Sequence, residues 1–142
     1  SDGDRQAMAD QNLQKVLDRI RGDIEGCYFT VCFEMESGLP LGMSTLEFEN
    51  DTESIGAAFG QVLDIVTRGQ KHGRNKHIRE ELHTFREIIF ETTKSTFVVM
   101  VPELGEQMAV GIGMPKEVKL GYARVAINKH RQALVESIKA IG

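Results

Sequence analysis

The chain has 142 residues, enough for one domain that buries roughly two-thirds of its unfolded surface. Its 41% apolar and 27% charged residues are ordinary for a globular protein, while a formal net charge of −4 argues against a general nucleic-acid binder or a basic membrane-surface protein. No apolar run approaches the ~20 residues of a membrane-spanning helix, and no signal-peptide pattern precedes the first helical stretch.

Residues 1–7 are polar and aperiodic and read as a disordered tail, leaving 8–142 as the domain. From Met8 the pattern is helical: Leu13, Val16, Leu17, Ile20 and Ile24 mark one face, and Gly22 and Gly26 are the expected terminators. Residues 27–36 alternate strictly. Cys27, Phe29, Val31, Phe33 and Met35 point one way and Tyr28, Thr30, Cys32, Glu34 and Glu36 the other, which predicts one buried face and one partly wet. Cys27 and Cys32, the only cysteines, fall on opposite faces about 16 Å apart, too far to bridge and without the short pair spacing of a zinc site. With no disulfide framework, the cytoplasm is the expected compartment. Ser37-Gly38 turns the chain into a return strand over 39–48, which Pro40, lacking an N–H, places at a sheet edge.

Residues 50–67 read as a capped helix, with Asn50 and Glu53 forming a capping box. Ile55, Phe59, Val62 and Val66 form a stripe suited to covering a sheet. Gly56, Gly60, Leu63 and Thr67 form a second stripe, roughly 80–100° away around the axis, where small residues admit another helix of this chain or of a second copy. Residues 68–79 hold Arg68, Lys71, Arg74, Lys76 and Arg79, two histidines and no acid. Their two glycines predict a loop that becomes helical near 78–82. Such cations attract phosphate or an acidic partner surface, and a solvated loop is the plainer alternative. His72 and His77 are five apart, a spacing that suits no helical or strand-face metal pair, so no metal site is expected.

Three strands follow. Residues 84–92 carry Ile88 and Phe90 among charges, and 96–101 are apolar on both sides, as in the middle of a covered sheet. After a turn at 102–106, Met108, Val110, Ile112 and Met114 alternate with Ala109, Gly111 and Gly113, a small face against which a helix can press. Pro115 ends the strand, and Leu120, Ala123, Ile127, Leu134, Ile138 and Ile141 form the inner stripe of a last helix, with His130 at its margin as a partly buried, hydrogen-bonded histidine. The strand methionines read as core packing. No nucleophile, base and orienter set is present, Gly111-Ile112-Gly113 lacks a third glycine, and Glu34 and Glu36 read as a rim pair, so no catalytic residue and no cofactor is assigned. The order is helix, two strands, helix, three strands, helix: an α+β domain with three helices on a five-stranded antiparallel sheet.

That order resembles the Roadblock family, the dynein light chain-type domain, from about Met8 to Ile141. The resemblance rests on Gly26 before the strand CYFTVCFEM, the turn Glu36-Ser37-Gly38, the return Leu39-Pro40, the helix start Asp51-Thr52-Glu53-Ser54-Ile55 and the stretch VVMVPELGEQMAVGI. It implies a profilin-like sheet of order 2-1-5-4-3. It also implies a dimer with itself or a paralogous chain, in which second helices pair through Gly56, Gly60, Leu63 and Thr67, and third strands meet through Ile88 and Phe90. Family members are non-enzymatic scaffolds or regulators, often of small Ras-like GTPases. The alternative is a small-molecule sensor of PAS type, against which stands the absence of inward polar groups at 96–101.

Overall fold

The segment expected as a tail is the opening of the first helix, α1 (Asp2–Gly22), in the computed structural model. Ser1 caps it by accepting from the Asp4 amide, and Asp2 and Asp4 set carboxylates against the positive end of the helix. Side chains 1–8 are all exposed. These turns add one hydrogen bond per residue to a helix nucleated further on and bury nothing, so no periodicity reveals them. The structure describes residues 1–46, 52–101 and 108–141, with only the helical backbone at 52, 53, 55 and 56. The Asn50/Glu53 capping box, the side of α2 at Ile55 and Gly56, the strand end at 47–48 and the turn at 102–106 lie outside the described residues.

Strands β1 (Phe29–Glu34), β2 (Pro40–Thr45), β3 (Glu87–Glu91), β4 (Ser95–Met100) and β5 (Met108–Pro115) form one antiparallel sheet ordered β2-β1-β5-β4-β3. Pro40 lies on the β2 edge as its missing N–H requires, at a register shift opposite Phe33. The helix α4 (Leu120–Ile141) packs beside α1 on one face, and α2 (Thr52–His72) lies on the other.

Two apolar clusters result. Leu13, Leu17, Ile20, Val98, Val110, Ile112, Met114, Ala123 and Leu134 fill the α1/α4 side. Phe29, Val31, Phe33, Phe59, Leu63, Val99 and Ala109 fill the α2 side. The face of β1 expected to be partly wet is exposed at Glu34 and dry at Thr30 and Cys32. Thr30 is fully buried and donates its hydroxyl to the Leu17 carbonyl at 2.8 Å, and Cys32 packs as a small apolar group. Alternation of residue type reports polarity, and here a helix carbonyl takes the place of water. Both cysteines are free, and burial pushes each thiol up to about 12.

The small face of β5 takes aromatic rings in place of a helix backbone. A Cβ on Gly113 would stand 2.3 Å from Phe29 Cε1, and one on Gly111 would meet Val31 at 2.9 Å and the rings of Phe33 and Phe59 at 3.2 Å.

The described residues hold four helices where three were expected. α2 continues through Arg68-Gly69 to His72, and α3 (Lys76–Leu82) folds back against it. Gly69 is no stop signal: its missing Cβ, which would lie 2.6 Å from Leu82 Cδ1, makes room for α3. The break comes beyond His72, after which the Asn75 side chain caps α3 by accepting from the Ile78 amide. Gln70 donates to the Leu82 carbonyl and Arg79 to the Gly73 carbonyl, closing the corner. Residues 68–79 are thus a helical hairpin rather than a loop. No helix among the described residues is long and apolar enough to cross a membrane.

Candidate interaction surface

Phe59 anchors α2. It is 2% exposed, with its ring centroid 5.6 Å from those of Phe29 and Phe33 and 6.0 Å from that of Phe90. Leu63, one turn on, is 1% exposed in the same cluster. This corrects the sequence assignment. The line facing the sheet is Phe59–Leu63, while Val62 and Val66 are half-buried on its flank. At about 100° per residue Leu63 lies only some 40° from Phe59, so a modest rotation of the helix moves it from the second stripe into the core.

Gly60 and Thr67 of that stripe also have contacts within the chain. Gly60 lies against the turn between β1 and β2: a Cβ there would meet the Gly38 carbonyl oxygen at 3.5 Å, and Gly38 itself adopts a φ of +71°. Thr67 is half-buried and donates to the Leu63 carbonyl at 2.9 Å.

What α2 leaves uncovered is a different margin. Ile65 is 69% exposed. Val62 and Val66 border it, and Gly69, continuing that flank by helical spacing, receives Leu82 of α3, which leads into β3. On β3, Ile88 and Phe90 alternate onto the α2 side and are half-buried, and Phe90 stacks on the half-buried Phe97 with centroids 5.1 Å apart. β3 is an edge strand in regular register with β4, without proline or bulge, whereas the opposite edge is blunted by Pro40. Ile65 escaped both sequence stripes. Its signal was an isolated large aliphatic among Gln61, Asp64 and Arg68 on the polar side of the helix.

The cations of 68–79 divide into two groups. Arg68 pairs with Asp64 at 3.0 Å, Lys76 with Glu80 at 3.9 Å, and Arg79 is bonded to Gly73. Lys71 and Arg74 project at the corner with no ion-pair partner among the described residues. A cleft of about 420 Å³ opens beside them between Met35, Thr67, Gln70 and Phe85. Of its polar wall groups, Gln70 and Thr67 are engaged internally, with Leu82 and Leu63, and Glu36, Lys71 and His83 complete the polar lining.

On the far side, His130 Nε2 lies 2.6 Å from Asp23 Oδ2, tying α4 to the end of α1 as a partly buried, hydrogen-bonded histidine. Hydrogen bonds from His130, then Lys129, hold the Asp23 carboxyl below its ordinary range.

No family model matches the chain, and no curated protein sequence matches it. Solved structures do. An MglB in a tetrameric arrangement superposes with a TM-score of 0.70 at 14% identity, over 93% of this chain and 92% of that one. MglB of Myxococcus xanthus gives 0.66 at 16% identity over 93% and 91%. A Roadblock/LC7 domain from Streptomyces avermitilis gives 0.62 at 13% identity over 89% and 93%. At these identities the likeness is one of architecture, and it extends over nearly the whole chain: the five-stranded 2-1-5-4-3 sheet with its helices has the Roadblock/LC7 fold.

Proposed function

We propose that the chain is a non-enzymatic cytoplasmic interaction domain that pairs with a second copy, or with a paralogous Roadblock-like chain, to regulate or scaffold a small Ras-like GTPase. The observation that carries this reading is the unfinished α2 side, where an open β3 edge, free of proline and bulge, runs beside half-covered Ile88, Phe90 and Phe97 and the exposed Ile65. Apolar surface continuous with an open strand edge is what a second sheet completes. The seam in this proposal is Val62, Ile65 and Val66 of α2 with Ile88 and Phe90 of β3. If two β3 strands meet antiparallel about a twofold at Ile89, Ile88 stands opposite Phe90 of the second copy on the α2 side, a favourable cross-strand pair. The fold shared with MglB structures, one of them tetrameric, supports self-association. The GTPase partner comes from the Roadblock resemblance, and Lys71 and Arg74 are the cations offered to its acidic surface.

Light scattering at micromolar concentration should give a dimer mass, and Ile65→Glu should give a monomer with an unchanged circular dichroism spectrum. A wild-type monomer mass sinks the pairing with a second copy. Pull-down with Ras-like GTPases of the same genome, loaded with GDP or a GTP analogue, tests the second half, and enrichment of none leaves a scaffold without a GTPase.

A further inference from the structure

The open edge of β3 has a second face, the α4 side, and its chemistry is ionic. The Arg86 carbonyl accepts from the Val101 amide and the Thr92 amide donates to the Ser95 carbonyl, both at 2.9 Å, so the even residues turn their backbone groups toward β4. By alternation those of Glu87, Ile89 and Glu91 turn outward. A second β3 running antiparallel about a twofold at Ile89 meets all three: Ile89 opposes Ile89, and Glu87 opposes Glu91 in both directions, each pair exchanging two hydrogen bonds. A twofold one residue away leaves Glu87 or Glu91 opposite no residue of the strand. The full register carries a penalty. Glu87 and Glu91 of the second copy would stand on one face about 5.5 Å apart at Cα, and like charges directly opposite repel. Arg124 of α4 reaches that face: its Nε and Nη2 donate to the two Glu87 carboxylate oxygens at 2.8 and 2.7 Å and hold Glu87 below the usual carboxylate range. This leaves the Nη1 hydrogens, on a side chain 51% exposed, without a partner among the described residues. Glu91 is exposed and likewise has no ion-pair partner among the described residues.

We infer that Arg124 is a cation shared across the seam: bound to Glu87 of its own chain, it offers Nη1 to Glu91 of a second copy. This inference rests on the pairing proposed above and names what selects its register and its partner. Twofold symmetry makes two such bridges, one at each end of the paired strands, with Ile89 of both copies between them. Each bridge offsets a Glu87–Glu91 repulsion and so favours the register in which Ile88 meets Phe90 on the other face. A guanidinium can serve two carboxylates because its planar fork presents donors on more than one edge, unlike the point charge of a lysine. A strand without a carboxylate two residues beyond the twofold leaves Nη1 unfilled, so this edge fits a second copy of the chain.

The test is a double-mutant cycle on the full chain, read as the dimer Kd by sedimentation equilibrium at low salt, with circular dichroism to verify that each variant folds. Arg124→Gln should weaken the dimer about tenfold, the scale of two exposed cross-strand charge pairs lost together. Glu91→Gln should tighten the Arg124→Gln dimer, because there it only removes repulsion. Its effect on Kd should differ between the wild-type and Arg124→Gln backgrounds by about fivefold or more. Equal effects in the two backgrounds, with the wild type dimeric, overturn the shared cation and leave the pairing standing. A monomeric wild type overturns the pairing and the shared cation with it.

Discussion

Leu63→Ala separates the core position of this side chain from a place on a subunit seam. The side chain is 1% exposed and packs in the cluster around Phe59. Truncating a buried leucine costs about 2–5 kcal/mol, from a total stability of about 5–15 kcal/mol for a domain. For a chain of this length that corresponds to a fall in Tm of about 5–20 °C. Ile65→Ala, two residues on at 69% exposure, should change the stability of the isolated fold by no more than about 0.5 kcal/mol. Urea unfolding at two protein concentrations about tenfold apart distinguishes them, because association coupled to folding makes the midpoint depend on concentration. Leu63→Ala should lower the midpoint at both concentrations with the m-value unchanged. Ile65→Ala should instead shrink the dependence on concentration. If Leu63→Ala loses less than about 1 kcal/mol yet abolishes the dimer mass, Leu63 belongs to the seam and the placement of α2 argued above is wrong.

Gly113→Ala should destabilise by about 1–3 kcal/mol, because its Cβ would stand 2.3 Å from Phe29 Cε1 and that ring is already stacked on Phe97; an unchanged calorimetric Tm would show that the ring moves freely. Gly22→Ala should stabilise by about 0.4–1 kcal/mol, since it ends α1 with open space where a Cβ would go; a loss of stability in chemical denaturation would contradict this. Asp23 titrates below its ordinary value of 3.8, so its bonds to His130 and Lys129 stabilise the fold above the unfolded-state pKa, and that contribution is lost as pH falls through the lower folded-state pKa. A ¹³C carboxyl titration should place the wild-type midpoint below 3.8 and return it toward 3.8 in His130→Ala; identical midpoints would refute the His130 contribution.

Much of the fold was legible in the chain. The alternation at 27–36, the both-sided apolarity at 96–101 and the proline at 40 specify a covered antiparallel sheet with β2 at one edge, because strand burial and donor loss act through residues close in sequence. The inner stripe of α4 and the bonded His130 were legible for the same reason: helical spacing reports which side of an element must be buried.

Where each side chain went depended on other elements. Thr30 and Cys32 are dry because α1 lies over them, and no local pattern tells a buried hydroxyl bonded to a helix carbonyl from one facing water. Gly69 read as a loop glycine, yet its role is set by Leu82, thirteen residues later. The rotation of α2 was decided by the rings of Phe29, Phe33 and Phe90 closing around Phe59, which drew Leu63 inward and left Ile65 outside. Arg131 was a plain helical cation in the sequence and became an unsatisfied donor only when α4 settled beside β3 and β4. The sequence by itself determined the elements, their order and their apolar faces, because propensity and periodicity are local. Only the tertiary structure decided which polar groups are satisfied and which apolar ones remain uncovered, because packing sums over residues distant in the chain.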